Sequence, residues 1–473
     1  MSGSEPVSVH VAFLPSAGMG HLNPCLRTAA LFLRHGCRVT LITPKPTVSL
    51  AESNLISRFC SSFSDQVTQI DLNLIPLDPT SVNSTDPFWT QFETIRRSVH
   101  LLSPILSTLS PPLSAFIYDV SLISPLVPVT QNLNLPCYIY FVAPARMFSF
   151  FAHLSVLAAS NPGENPASFI GDVVEIPGIA PIARSSVPPL LLQPNSLFER
   201  IFMEDSPKLT KLDGILMNSF EELEPEALAA LNDGRVVQGL PRVHAVGPFM
   251  PCEFEKNVDE ESSMSSILKW FDDQNSGSVV YVCLGNRTLT RREQIKDLAN
   301  GLISCGYRFL WVVKLKVVDR EDDEDLEDVL GNELMMKVKE KGLVVKTFVD
   351  QMEILGHPGV GGFVNHGGWN SLMEAVWHGV PILSWAQNGD QKIASEVVKM
   401  SGVGIWPEEW GWGVEVVVKG EDIAKAIEKM MNNESLRIRA AEMKKAARNA
   451  AGVGGSSEVI IKRQIEEWKR NVQ

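Results

Sequence analysis

No CxxC pair occurs in this 473-residue chain. Its seven cysteines, Cys25, Cys37, Cys60, Cys137, Cys252, Cys283 and Cys305, are scattered, several of them inside apolar runs. That argues against a disulfide frame and reads as reduced, buried thiols of a cytoplasmic protein. Basic charge is also in deficit, with Lys+Arg 42 against Asp+Glu 55 and a net charge of −13. Such a balance repels a polyphosphate backbone and anionic lipid, so neither nucleic acid nor a membrane surface is an expected partner. The first fifteen residues have no basic stretch and no small-residue cleavage site, so no signal peptide is read. The most apolar helical stretch, residues 147–159, falls short of the ~20 residues a bilayer requires, and no membrane insertion is expected.

What is present describes a large globular protein: 45% hydrophobic and 21% charged residues, enough for more than one core. Nine of the ten Trp lie from Trp270 onward, whereas fifteen of the twenty-one Phe precede Phe249, which implies two different cores. Short β-branched and aromatic runs at residues 7–14, 37–43, 115–119 and 137–142 alternate with helix-length segments. The alternation resumes at 278–284, 307–313, 343–348, 361–365 and 380–385. Strand–helix alternation of this kind builds parallel βαβ units. The expected division is residues 1–245, a linker at 246–268, residues 269–455, and a last helix at 456–473. Ligands in such folds sit beyond the carboxyl ends of the strands.

Two corners there carry chemistry. The first strand runs into Gly18-Met19-Gly20-His21, with Asn23 and Pro24 suited to open a helix. Gly18-x-Gly20 suggests a phosphate turn, but the third glycine and the ribose acid of a dinucleotide fingerprint are missing. His21 is either a structural histidine or a base. Asp119, ending another strand of the same sheet, would make it a general base whose imidazolium is stabilised. Asp119 also suits a cap for the following helix. No GxSxG accompanies the pair, so a serine hydrolase is not supported.

The second corner is residues 348–391. A strand enters His366-Gly367-Gly368-Trp369-Asn370-Ser371 and then a helix ended by Gly379 and Pro381. Paired glycines before a helix N-terminus make an anion site suited to a diphosphate. Ser371 and Glu374 also have capping-box spacing. His357 and His378 lack the spacing of a zinc helix, and the acidic run at 319–328, eight acids in ten residues, reads as a solvated loop; no metal site is expected.

Residues 348–391 resemble the signature box of the plant family 1 UDP-glycosyltransferases in length, in the HxGWNS core, in Glu374 and in the closing Asp390-Gln391. The His21 loop, Asp119 and the segment Asn218 to Glu224 extend the resemblance over nearly the whole chain. It implies an α/β GT-B fold: two facing doubly wound Rossmann-like domains, acceptor in the first, UDP-sugar in the second, the last helix crossing back. By the same resemblance Phe348 and Val349 open the nucleotide pocket, with Phe348 stacking on uracil and Gln351 bonding its edge. Glu374 holds the ribose, and His366, Asn370 and Ser371, with Gly368 beside them, hold the diphosphate. Trp369, Asp390 and Gln391 face the sugar, and Gly285, Asn286 and Arg287 lie near the phosphates. Phe348 stands where the box usually has Trp, and Gly367 where it has Cys.

Gly367, Arg287-Thr288 and the segment Trp410-Gly411-Trp412-Gly413 are similar to flavonoid C-glucosyltransferases. The implied reaction is inverting, metal-free transfer of glucose from UDP-glucose to a polyphenol, forming a C-glucosidic bond, by a monomer without other cofactor. Phe88, Trp89, Met147, Phe148 and Phe150 are candidates to line the acceptor site. An O-glucosyltransferase, a nucleotide-dependent oxidoreductase and a non-catalytic nucleotide-binding protein are the alternatives.

Overall fold

A computed structural model describes residues 9–78, 87–256, 261–285, 290–314, 325–346 and 349–471. The chain divides into two compact units. The first comprises Met1–Arg184, Pro189–Lys256 and Asn449–Gln473, and the second Ser185–Pro188 and Asn257–Arg448.

In the first unit the main strands are β1 (His10–Leu14), β2 (Arg38–Lys45), β3 (Val67–Asn73), β4 (Ala115–Asp119) and β5 (Cys137–Phe141). A small hairpin, β6 (Val173–Val174) with β7 (Ile182–Ala183), precedes β8 (Gly214–Met217) and β9 (Val243–Ala245). Seven of these form an all-parallel sheet in the order β3-β2-β1-β4-β5-β8-β9. Every residue of β1, β4 and β5 is buried, as expected of central parallel strands covered on both faces. The edge strand β3, Val-Thr-Gln-Ile-Asp-Leu-Asn, is largely exposed and polar, and β8 and β9 have only four and three residues. All three therefore escape a search for apolar runs.

The second unit contains β10 (Val279–Cys283), β11 (Arg308–Val312), β12 (Gly342–Val345), β13 (Val360–Asn365), β14 (Ile382–Ser384) and β15 (Gly404–Ile405). They pair in the order β12-β11-β10-β13-β14-β15, again all parallel. Both sheets thus have a doubly wound order that reverses beside their first strand, between β1 and β4 and between β10 and β13. The crevice at such a reversal is where these folds bind ligands.

Helix Met19–Arg34 and the last helix, Ser456–Asn471, share the first core. Trp468 is fully buried, stacks on Phe32 at 5.3 Å and donates its indole N–H to the Tyr138 hydroxyl at 3.1 Å. Ile461 and Ile465 join the cluster containing Phe13, Phe32, Leu41 and Phe59. Truncating a buried Trp of this kind costs about 3–5 kcal/mol. The second core is built on Val282, Trp311, Val364, Trp385 and Trp410, with Trp385 and Trp410 edge to face at 4.9 Å.

Asn218, Ser219 and Glu224 act as a buried brace. Glu224 accepts the backbone N–H groups of Ala145 and Arg146 (2.9 and 3.0 Å), at the start of helix Ala145–Ser160, whose N-cap Pro144 supplies no side-chain bond. The Ser219 hydroxyl donates to the same carboxylate at 2.6 Å, and Asn218 accepts the Phe249 N–H at 2.7 Å.

Candidate active site

His21 sits in the first turn of helix Met19–Arg34. This start corrects the expectation that Asn23 and Pro24 open the helix: Gly18 is the N-cap, Pro24 lies inside, and Asn23 Oδ1 is buried with no hydrogen-bond partner among the described residues. Gly18 holds φ 89°, a conformation open to glycine, and its carbonyl accepts the N–H groups of His21 and Leu22 at 3.0 Å each. The Glu52 carboxylate accepts the Gly18 N–H at 2.8 Å and the Val48 N–H at 3.1 Å, pinning this corner.

β4 delivers Asp119 to the neighbouring corner, completely buried. Its two oxygens divide the two uses open to it. Oδ1 accepts Ser121 N–H (3.0 Å) and Ser121 Oγ–H (2.6 Å), capping the short turn Val120–Leu122, while Oδ2 lies 2.7 Å from His21 Nδ1. Burial by itself would raise the Asp119 pKa, but the His21 ring and the Ser121 bonds outweigh it, and the net direction is down. An ionised carboxylate only accepts, so Nδ1 carries a proton, and in the neutral ring Nε2 holds the lone pair. The His21 side chain is 24% exposed, open enough to meet a ligand.

Around it lies a belt of aromatic rings. Phe92 meets His21 edge-on at 5.6 Å, followed by Phe88, Trp89 and Phe198 in successive contacts. Phe88, Trp89 and Phe198 are half-buried. Met147, Phe148 and Phe150, expected to line a ligand site, are instead buried core residues, because the first ten residues of helix Ala145–Ser160 are enclosed on all sides.

In the second unit the glycines have measurable reasons. A Cβ on Gly285 (φ 80°) would lie 2.9 Å from the His366 ring, and one on Gly368 would lie 2.4 Å from its Nε2. The imidazole is thus packed between two stretches of bare backbone. Burial pushes its pKa down to about 4, so it is neutral near pH 7 and contributes polar contacts without a charge. Nδ1 is buried with no hydrogen-bond partner among the described residues.

Gly367 holds φ 86°, and a Cβ there would meet the Gln391 carbonyl at 2.9 Å and Ser395 Oγ at 3.2 Å. That close approach brings the start of helix Gln391–Ser401 against the loop after β13.

Helix Trp369–His378 begins after Gly368, which supplies no side-chain cap, and ends at left-handed Gly379. Ser371 and Glu374 form no capping box at this terminus. Both accept from Gln351 Nε2, at 2.9 and 2.6 Å, and the buried Tyr281 hydroxyl donates to Gln351 Oε1 at 3.4 Å. The structure therefore gathers Gln351, Ser371, Glu374 and His366 at the reversal point of the second sheet. Trp369 is buried, Asn370 half-buried, and Val349 buried on the preceding segment. Asp390 is the N-cap of helix Gln391–Ser401, and Gln391 Oε1 accepts the N–H groups of Gln387 and Asn388 at 2.9 and 3.0 Å.

Asn286, Arg287, Thr288 and Phe348 lie outside the described residues, as does most of the acidic run at 319–328. Among the described residues no three His, Cys, Asp or Glu side chains converge to hold a metal ion, and no helix is long and apolar enough to cross a membrane. Glu52 and Tyr281 were not singled out by sequence reasoning. Ser121 carried a usable signal, an Asp-x-Ser turn at the end of a strand.

Comparison with known proteins decides the family. The family model described as "UDP-glucoronosyl and UDP-glucosyl transferase" matches residues 218–445. "UDP-glycosyltransferase 708D1" of Glycine max is 70% identical over the full length of both chains. The chain belongs to the UDP-glycosyltransferase family. Within it, this glycosyltransferase is also 43% identical to "UDP-glycosyltransferase CGT" of Oryza sativa subsp. japonica, covering 95% of this chain and 93% of the relative. The crystal structure of LpCGTa in complex with UDP superposes with a TM-score of 0.84 at 40% identity, covering 98% of this chain and 99% of that one. The UDP-glucose complex of a Medicago truncatula enzyme does so at 0.84 and 26%, covering 98% of each. The fold is GT-B, and the protein is a plant family 1 glycosyltransferase that uses a UDP-sugar donor.

Proposed function

We propose that this enzyme transfers glucose from UDP-glucose to a flavonoid-type polyphenol with inversion, and that the bond formed is C-glucosidic. The observation that carries the transfer mechanism is the 2.7 Å pair of His21 Nδ1 with the buried Asp119 carboxylate. His21 Nε2 takes the phenolic proton, and the Asp119 charge stabilises the resulting imidazolium. The acceptor is assigned to the first unit, where the half-buried Phe88, Trp89 and Phe198 offer ring faces to a planar aromatic.

The donor is assigned to the second unit. Gln351 bonds the uracil edge and Glu374 the ribose, exchanging their present contact with one another for the ligand. The diphosphate lies at the N–H groups of residues 369–371, beside His366, where a helix terminus and neutral donors receive the charge of departing UDP. Asp390 and Gln391 read the sugar hydroxyls. No metal enters this account, so excess chelator should leave turnover unchanged; loss of activity restored by manganese would overturn that part.

In C-transfer, loss of the phenolic proton spreads negative charge onto the ortho ring carbon. That carbon bonds to the anomeric carbon as the sugar–phosphate bond breaks, and the ring then sheds its proton to regain aromaticity. The linkage rests on relatives whose names carry CGT, which we read as C-glycosyltransferase, at 40–43% identity. "Anthocyanidin 5,3-O-glucosyltransferase" of a Rosa cultivar, at 30%, supports the O-linked alternative less strongly. The test is the product of a phloroglucinol-type acceptor: a C-glucoside survives hot acid and lacks one aromatic proton resonance. Release of glucose on acid hydrolysis would assign the enzyme to O-transfer.

A further inference from the structure

Asp119 holds both Ser121 donors, in the turn Val120–Leu122, on Oδ1 while Oδ2 faces His21. What holds that turn lies outside the dyad. Arg96, from helix Pro87–Ser98, is buried and donates through Nη1 to the Ser121 carbonyl. The same Nη1 donates to Asp205 Oδ2 at 2.8 Å, and Nη2 donates to Glu204 Oε2 at 2.7 Å. Asp205, completely buried at the end of helix Leu197–Asp205, uses Oδ1 to accept the Ser124 N–H at 2.8 Å, in the first turn of helix Ile123–Asn132. Lys208 reaches the Ser124 hydroxyl at 2.5 Å. Residues 121–124 are thus gripped at both ends by one buried ion pair: Arg96 on the Ser121 C=O, Asp205 on the Ser124 N–H.

We propose that the buried Arg96–Asp205 pair is a positioning device for the reaction, fixing the Ser121 turn so that the Asp119 carboxylate is held on His21. A guanidinium suits the task because its fixed fork bonds a carbonyl and a carboxylate together, which an ammonium on a flexible stem does not. A buried ion pair contributes little net stability against apolar replacements, so its value here lies in fixing one geometry. Neither residue touches substrate in this account. The inference rests on the His21–Asp119 reading above, and its test separates the two.

The test compares two acceptors, an ordinary phenol that needs a base and a dinitrophenol already ionised at neutral pH, in Arg96→Lys and Asp205→Asn. Each variant retains much of the native shape, and two are used so that a folding failure in one leaves the other informative. Arg97→Ala, which loses only the half-exposed pair with Glu93, is the control for helix Pro87–Ser98. With the phenol, kcat should fall roughly ten- to hundred-fold, the scale set by a misplacement of up to about 1 Å. KM for the UDP-sugar should stay constant, and turnover of the dinitrophenol should remain within about twofold of the parent. In a His21→Ala background the Arg96→Lys loss on the phenol should vanish, since both changes act through one group. Equal losses on both acceptors, or full phenol turnover in a folded variant, would overturn the proposal. A His21→Ala enzyme that keeps phenol turnover would instead remove the dyad reading itself.

Discussion

Replacing Asp119 by Asn is the most informative single change, because the side chain keeps its shape while its two ends become unequal. In the native protein Oδ1 accepts two bonds from Ser121 and Oδ2 faces His21 Nδ1. If the new amide oxygen stays with Ser121, the NH2 group points at Nδ1. The ring must then place its proton on Nε2, the atom that needs a lone pair to act as a base. If the amide turns over, the oxygen serves His21 but an NH2 group confronts the buried Ser121 N–H. An unsatisfied buried donor costs about 1–3 kcal/mol, a bias of roughly 5- to 150-fold towards the first arrangement. Even the minority orientation lacks the negative charge that stabilises an imidazolium. Both routes disable the base, and kcat on an unactivated phenol should fall by about 10²–10⁴. UDP affinity by calorimetry and the thermal midpoint should barely move, since the change is nearly isosteric and the nucleotide is assigned to the second unit. An Asn variant within about fivefold of the parent kcat would refute the role given to Asp119.

Three further expectations concern Gln351, Gly367 and the buried histidines. Gln351→Ala removes the group that joins Ser371 to Glu374 and, by our reading, the uracil edge, and should weaken UDP binding by roughly tenfold; an unchanged Kd would show that the uracil is held elsewhere. Gly367→Cys restores the usual box residue but places a Cβ at φ 86° within 2.9 Å of the Gln391 carbonyl, at a cost of about 1–3 kcal/mol read as an earlier urea midpoint. An unmoved midpoint would mean that the loop relaxes freely. His244, His366 and His378 are each pushed down to about 4, chiefly by burial, so the unfolded chain takes up their protons first. Their contribution is intact above the usual histidine value near 6.5 and is lost as pH falls towards 4; a urea midpoint flat between pH 7 and 5 would contradict it.

The second corner was legible in the sequence because its parts are contiguous: strand, glycines, helix and closing Asp-Gln lie within 44 residues. The first corner spans 98 residues from His21 to Asp119 and was legible for another reason. Parallel strands place their carboxyl ends on one side of the sheet, so residues ending β1 and β4 become neighbours whatever the intervening length. Supports arriving from the sides had no such rule. Ser49-x-x-Glu52 has the spacing of a capping box, and Ser49 does cap Glu52 N–H, yet the Glu52 carboxylate leaves its helix to hold Gly18. Ser371 and Glu374 share that spacing and converge on Gln351 instead. Spacing fixes which residues share a helix face, not which tertiary partner claims the side chain. Arg96 and Asp205 belong to helices brought together only in the folded unit, and their bond to the Ser121 turn has no local signature.

By our reading the same strand order is put to different uses in the two units, and the helix termini suggest why. Each sheet reverses beside its first strand, and each has a glycine-opened helix at that reversal, so both corners offer the backbone N–H groups that bind anions. At the first corner the Gly18 N–H is already taken by the Glu52 carboxylate at 2.8 Å, an internal anion at the terminus where a phosphate would otherwise sit. A carboxylate at that position disfavours a second anion, so by our reading the phosphates go to the other corner. By our reading that corner serves proton chemistry instead, through the His21–Asp119 pair. At the second corner Gly368 carries no side-chain cap, Gln351 occupies Ser371 and Glu374, and burial keeps His366 neutral. By our reading the phosphates of UDP bind at that terminus, where the N-cap glycine itself offers no side chain.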